Sequence, residues 1–202
     1  MVIGELGLDG SVKHVSGVLA LVTAARDKGL VRCFLPQVNA IEGTVIEGVE
    51  IVGVESLGHM AWLLEHPSDI KGIRGMDENA WRQENRGWDL DFREVSGQLV
   101  LKRAAEVAAA GMHGLLLNGS AGTGKTMVAS RIPTILPALT REEDIEISKT
   151  YSICGLLPPG RPLLSRRPFR SPHHTITPQG LTGGGMPARP GELSLASGGV
   201  LF

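Results

Sequence analysis

Gly119, Ser120, Ala121, Gly122, Thr123, Gly124, Lys125 and Thr126 read GSAGTGKT and follow a short apolar run, Leu115 to Leu117. The order G-x-x-x-x-G-K-T at the end of a predicted strand is the pattern of a loop that wraps phosphates. Gly119, Gly122 and Gly124 allow backbone angles that a side chain forbids, so successive N–H groups can turn inward around an anion. Lys125 brings a full positive charge within reach of the terminal phosphates. Thr126 offers a hydroxyl to Mg²⁺, and the helix that opens here directs its positive end at the same charges. The chemistry expected of this stretch is nucleotide binding, with Mg²⁺ held beside the phosphates.

A second constellation is basic. Arg166, Arg167 and Arg170 stand close to His173 and His174, and Arg189 follows Gly183 to Gly185. Guanidinium forks match phosphate geometry, which makes these arginines candidate nucleic-acid contacts. A solvated loop or a salt-bridge surface between subunits explains the same residues equally well. Adjacent histidines point in opposite directions in an extended strand, so His173 and His174 are poor joint metal ligands.

The elements that must position these residues can be read from periodicity. A parallel strand over 114–118 is expected to enter the phosphate loop, and a helix from Lys125 through Ile132 to leave it, stopped by Pro133. Val100 to Ala110 is alanine-rich and helical. Thr140 followed by Glu143 has capping-box spacing, so a helix starts near Arg141. From Tyr151 onward proline and glycine become dense, which argues against regular helices. Leu193 to Leu195 and Val200 to Phe202 are short strand candidates.

The first part of the chain, 1–66, alternates strands with helices. Met1 to Leu8 and Val12 to Val15 form a hairpin about Asp9-Gly10. A helix runs over Val18 to Lys28 with Gly29 at its C-terminal cap. Strands at Val31 to Leu35 and Val49 to Val54 enclose a helix opened by Pro36, and Leu57 to Leu64 is helical. The fold class is α/β. Residues 67–88 are polar, of mixed charge and without period, which reads as a linker anchored by Trp81 and Trp88. Residues 89–202 form the second domain.

Composition narrows the setting. A chain of 202 residues can bury one large core or two small ones, and its formal net charge of -1 exerts no global pull on nucleic acid or membrane. Two cysteines, Cys33 and Cys154, lie far apart without metal-type spacing, which fits a reducing, cytoplasmic compartment. No apolar run approaches the roughly 18 residues that a membrane span needs, and no charged region precedes an apolar stretch at the N-terminus.

These motifs, together with DFREVSGQ at 91–98, KRAAEVAAAG at 102–111, LPALT at 136–140, RRPFRSPHH at 166–174 and RPGELSLASGGVLF at 189–202, resemble the N-terminal part of the ATPase module of magnesium chelatase-like AAA+ proteins. The likeness is to the competence-associated (ComM/YifB-like) branch, which couples ATP hydrolysis to DNA branch migration. GELGLDGSVKHVSG at 4–17 resembles the Lon-protease-like N-terminal domain of the same branch. The resemblance implies a hexameric ring that moves on DNA. A metal-chelatase or protein-remodelling subunit, and an inactive truncated product, are the alternatives. It also implies that Val95, Ser96 and Gly97 contact the adenine, with an N-terminal turn capped by Ser96 as the alternative reading. The glycines 183–185 with Arg189 would form a hairpin tip projecting towards the ring's channel, or a mobile turn.

Two departures qualify the likeness. Where Lon-type proteases carry the lysine that activates a serine, this chain has Leu19 and Leu21, and the serine-bearing segment is missing, so no peptidase activity is expected. The family's Mg²⁺-holding Asp-Glu pair would follow GGVLF, with sensors and an arginine finger further on. The expectation is an ATP-binding fragment, cut at both ends, that grips phosphates without efficient turnover, unless a carboxylate such as Glu192 replaces the pair.

Overall fold

The computed structural model describes residues 1–75, 89–158 and 160–202. The chain divides into two compact units. The first comprises 1–81 with 148–164, and the second 82–147 with 165–202. Sequence reading places all of 89–202 in one domain. The contacts instead assign 148–164 to the first unit.

In the first unit β1 (Glu5–Leu6) and β2 (Val12–Lys13) pair antiparallel about a turn. The Asp9 carboxylate shapes that turn by accepting from the Ser11 N–H at 3.0 Å and the Ser11 hydroxyl at 2.6 Å. The expected longer first strand contracts to these residues, and Val2 forms an isolated parallel bridge to Phe34. Helix α1 (Val18–Asp27) buries Val18, Leu19, Val22 and Ala25, the face its helical spacing predicts. It ends in a Schellman pair, with the Gly29 N–H on the Arg26 carbonyl and the Leu30 N–H on the Ala25 carbonyl. Strand β3 (Arg32–Pro36) lies parallel to β4 (Glu50–Val54), joined by a 3₁₀ turn at Gln37–Asn39 and the short helix α2 (Ala40–Gly43). Both strands are nearly continuous apolar runs, as strands covered on both faces are. Phe34, Val52 and Val54 pack with Met60 and Leu63 of α3 (Leu57–Glu65), whose N-terminus is capped by the Ser56 hydroxyl.

A polar clasp ties 148–164 into this unit. Buried Asn39 accepts from the Val15 N–H and donates to the Val15 carbonyl and to Glu42. The Glu42 carboxylate in turn accepts from the Leu19 N–H, at the start of α1, and from the Ser152 hydroxyl. The Gly17 N–H donates to the Ser152 carbonyl. The first part of the expected linker is also engaged. Pro67–Asp69 is a 3₁₀ turn, Ile70 packs on the Phe34 cluster, and the Ile73 N–H donates to the Ile51 carbonyl at 2.7 Å. Trp81 and Trp88 lie outside the described residues.

In the second unit a 3₁₀ turn (Phe92–Glu94) leads to α4 (Leu99–Gly111), then the phosphate-loop segment and α5 (Lys125–Ala129). Proline does not simply stop that helix. Pro133 sits in the first turn of a 3₁₀ segment at Ile132–Ile135, where its missing N–H costs nothing. The capping box forms as expected, with the Thr140 hydroxyl accepting from the Glu143 N–H and the Glu143 carboxylate from the Thr140 N–H. It opens α6 (Arg141–Ile153), which runs two residues past Tyr151; its last residues, from Ser148, belong to the first unit. Beyond it come β5 (Phe169–Arg170), α7 (Pro178–Thr182), β6 (Gly183–Gly184), β7 (Arg189–Pro190), α8 (Glu192–Leu195) and β8 (Val200–Leu201). β5 and β8 pair parallel, and β6 and β7 form an antiparallel hairpin.

Three expectations need correcting here. Helices do occur in the proline- and glycine-rich part, because Thr177 caps α7 through the Gly180 N–H and Pro178 fits its first turn. Leu193 to Leu195 lie in α8, not in a strand. The strand over 114–118 is not formed. Leu115 and Leu117 are half-buried and Leu116 is 91% exposed, so the side chains alternate as in a strand. The segment lines a cavity of about 430 Å³ together with Val200, Leu201 and Phe202, and it takes part in no ladder among the described residues.

The β5–β8 ladder tolerates no side chain where it begins. A Cβ on Gly199 would lie 2.0 Å from the Pro168 carbonyl oxygen, which already accepts from the Val200 N–H at 2.8 Å. Gly199→Ala is expected to destabilise the second unit by about 2 kcal/mol or more, read by urea denaturation. An unchanged midpoint would show that the ladder can shift to admit the methyl group.

Candidate functional site

The phosphate loop is shaped by its glycines. Gly122 and Gly124 stand at φ +80° and +82°, left-handed backbone that would cost an L side chain about 1–2 kcal/mol each. Lys125 opens α5, and its ammonium donates to the carbonyls of Gly119 at 2.8 Å and Ser120 at 2.7 Å. The Thr123 hydroxyl also donates to the Ser120 carbonyl, at 2.9 Å. The lysine charge therefore lies on the rim of the loop, beside the exposed Thr126 in the first turn of the helix.

The turn at 91–98 is fastened to this helix. The Glu94 carboxylate receives Nε of Arg131 at 2.9 Å and Nη2 at 2.6 Å, while Nη1 donates to the Met127 carbonyl. The Phe92 N–H donates to the Thr134 hydroxyl. Beneath, Phe92, Val95, Ala105 and Val128 form a buried cluster extended by Leu101, Leu115, Ile132 and Ile135. Val95 is wholly buried there, so its side chain supports the loop from below instead of lining a base pocket. Ser96 and Gly97 are exposed beside it, and the helix cap is Gln98, not Ser96. Sequence reasoning missed Gln98, Leu99 and Val100, which line a cavity of about 650 Å³ together with Leu116, Gly119 and Lys125. The available signal was an apolar pair, Leu99-Val100, opening a helix whose inward face is Ala105, Ala108 and Ala109.

The basic segment divides. Arg167 is 6% exposed, and its guanidinium donates to the Pro137 carbonyl at 2.6 Å, the Gly198 carbonyl at 2.7 Å and the Glu143 carboxylate at 3.0 Å. Arg170 forks onto Glu192 with two 2.6 Å hydrogen bonds, and that hydrogen-bonded pairing holds the Glu192 carboxyl below its usual range. Glu143 is likewise lowered, first by the Thr140 N–H and then by Arg167. Arg167 and Arg170 are thus committed inside the fold, and so is Glu192. Arg189 is exposed on the β6–β7 hairpin with fully exposed Met186 at its tip. The rings of His173 and His174 do not diverge. Their centroids lie 4.1 Å apart, and His173 Nδ1 meets the Thr175 hydroxyl. No cluster of three potential metal ligands occurs among the described residues.

In the first unit Leu19 is buried core, while Leu21 is exposed at the surface of α1. Neither provides a base. No disulfide joins Cys33 and Cys154, and burial pushes the Cys33 thiol up. No described helix is long and apolar enough to cross a membrane.

Comparison with known proteins adds relatives. The family model described as "Magnesium chelatase, subunit ChlI" matches residues 91–202. An uncharacterized protein of Mycobacterium tuberculosis is 41% identical over 204 residues, covering 100% of this chain and 39% of that protein. The competence protein ComM of Haemophilus influenzae is 34% identical over 99% of this chain and 39% of its own length. The uncharacterized protein YifB of Escherichia coli is 36% identical over 99% of this chain and 38% of its own length. The chain thus spans about two fifths of these relatives.

Arg167→Ala is expected to destabilise the second unit by roughly 2–4 kcal/mol, because it leaves two carbonyls and a carboxylate without their shared donor. Arg189→Ala should change stability by less than about 0.5 kcal/mol. Chemical denaturation of both variants checks the contrast, and equal effects would contradict the division drawn here.

Proposed function

Because the chain belongs to the magnesium chelatase, subunit ChlI, family, we propose that it is an ATP-binding part of an AAA+ ring ATPase, with Gly119 to Thr126 as the phosphate site. The observation that supports this most is the loop itself: left-handed glycines at 122 and 124, a helix starting at Lys125, and the lysine ammonium on the loop rim. The donor set suits a triphosphate, with backbone N–H groups and one cation facing several negative charges. It suits Mg²⁺ through the Thr126 hydroxyl, the remaining ligands being phosphate oxygens and water. When bound, the metal would supply neutralisation of phosphate charge. Ser96 and Gly97 remain beside the loop as backbone contacts for the adenine.

Hydrolysis needs a group that orients water and a cation that meets the transition-state charge. Glu192, the carboxylate that sequence offers for the first task, is engaged by Arg170. We therefore expect this chain to bind ATP without efficient turnover. Calorimetric titration should show ATP binding that Lys125→Ala weakens about a hundredfold or more, while phosphate release stays near background. Equal affinity in the variant would remove the phosphate-site reading.

The likeness to a relative named a competence protein leads us to propose a DNA-directed role, and with it self-association into a hexameric ring. Within this chain the exposed hairpin carrying Arg189 is the better candidate contact, since Arg167 and Arg170 are used internally. Arg189→Ala should weaken duplex DNA binding for every sequence and reduce the salt slope by about 1, as loss of one phosphate contact does. Identical affinity across a salt series would assign Arg189 to the solvated surface and favour a protein partner instead.

A further inference from the structure

Gln98 carries a left-handed backbone, φ 49° and ψ 48°, although glycine would adopt it without strain. The adjacent Gly97 already supplies a positive φ to the same turn. Such a conformation at a non-glycine residue persists when its surroundings hold it in place, and here they do. Glu94–Arg131, Phe92–Thr134 and the buried Val95 pin the preceding turn, and the Gln98 carbonyl accepts the first helical bond from the Lys102 N–H. The strained turn sets the glutamine amide against the phosphate loop. Its Nε2 lies 3.9 Å from the position a Cβ would take on Gly124. The side chain makes no capping hydrogen bond to the helix it opens. Next to it, Leu99 and Val100 are 81% and 86% exposed, and with Leu116 they give the cavity of about 650 Å³ an apolar wall that reaches Gly119 and Lys125. A cavity with an apolar wall, an amide at one end and a phosphate loop at the other has the character of a nucleotide site.

We infer that Gln98 is a specificity-determining residue, its side-chain amide hydrogen-bonding the edge of a purine base that lies against Leu99, Val100 and Leu116. The inference rests on the proposed phosphate site, and it moves recognition of the base from Val95, whose side chain is buried, to the helix-opening residues 98–100. An amide presents one donor and one acceptor together. It matches the N6 amino group and N7 of adenine, whereas the same edge of guanine, O6 and N7, offers two acceptors.

Calorimetry on the whole chain with inorganic tripolyphosphate, ATP and GTP separates the two layers of the argument. The wild type should bind tripolyphosphate in a Lys125-dependent way, ATP more tightly, and ATP in preference to GTP. Gln98→Gly relaxes the backbone and removes the amide. It should fold with an equal or higher Tm, keep its tripolyphosphate affinity, and lose about tenfold in ATP affinity and most of the preference over GTP. Leu99→Asp should weaken ATP and leave tripolyphosphate unchanged. Tripolyphosphate binding with ATP held no more tightly, or a Gln98→Gly variant with an unaltered ATP-to-GTP ratio, would overturn the role of Gln98 and leave the phosphate site standing. Absence of tripolyphosphate and ATP binding in the wild type would overturn both.

Discussion

Val128 projects from the loop helix into Phe92, Val95 and Ala105, and the phosphate loop above takes its position from that contact. The helix spans only Lys125–Ala129, 5 residues, and a helix that short does not persist in water by its own hydrogen bonds. Burial of its inner face does what helix propensity does not. Arg131 adds a directional tie to Glu94, which fastens the turn at 91–98 to the end of the loop helix. Loss of this contact would leave the glycines of the loop free to take many conformations, and the inward-facing amides would be dispersed.

The charged residues follow a related logic. A guanidinium can be buried only when its donors are satisfied, and Arg167 meets that condition with two carbonyls and a carboxylate. It joins the capping box of α6 to the glycine turn before β8, two segments that sequence separates widely. Arg170 with Glu192 does the same between β5 and α8. Arg167 and Arg170, in a stretch that reads as an electrostatic surface, are therefore braces within the fold, whereas Arg189 is exposed on a hairpin.

The first unit shows a carboxylate used as a helix cap. Gly17 has no side chain to cap α1, and Glu42 from a different element accepts from the Leu19 N–H there. An anion at that end complements the helix dipole. Because the same carboxylate accepts from Ser152, and Asn39 braces it, the clasp also fastens the 148–164 segment to a unit otherwise made of the chain's first part. Leu19 is packed in the core beneath.

Residue order alone determined the local features. The capping box at Thr140 and Glu143, the apolar face of α1, the apolar strands around 32–36 and 50–54, and the glycine-lysine loop all depend on interactions within a few residues or on periodic burial, which a sequence displays directly. Tertiary structure decided the rest. Whether Leu115 to Leu117 become a strand depends on a neighbour within hydrogen-bonding distance. Whether Arg167 meets solvent or carbonyl oxygens depends on where Pro137 and Gly198 fall. The part to which 148–164 belongs is set by Glu42, more than a hundred positions earlier. Val95 and Gln98 differ in the same way: three residues apart in one motif, one is buried under the loop and the other is held beside it, because the turn between them closes through contacts with a helix thirty residues on.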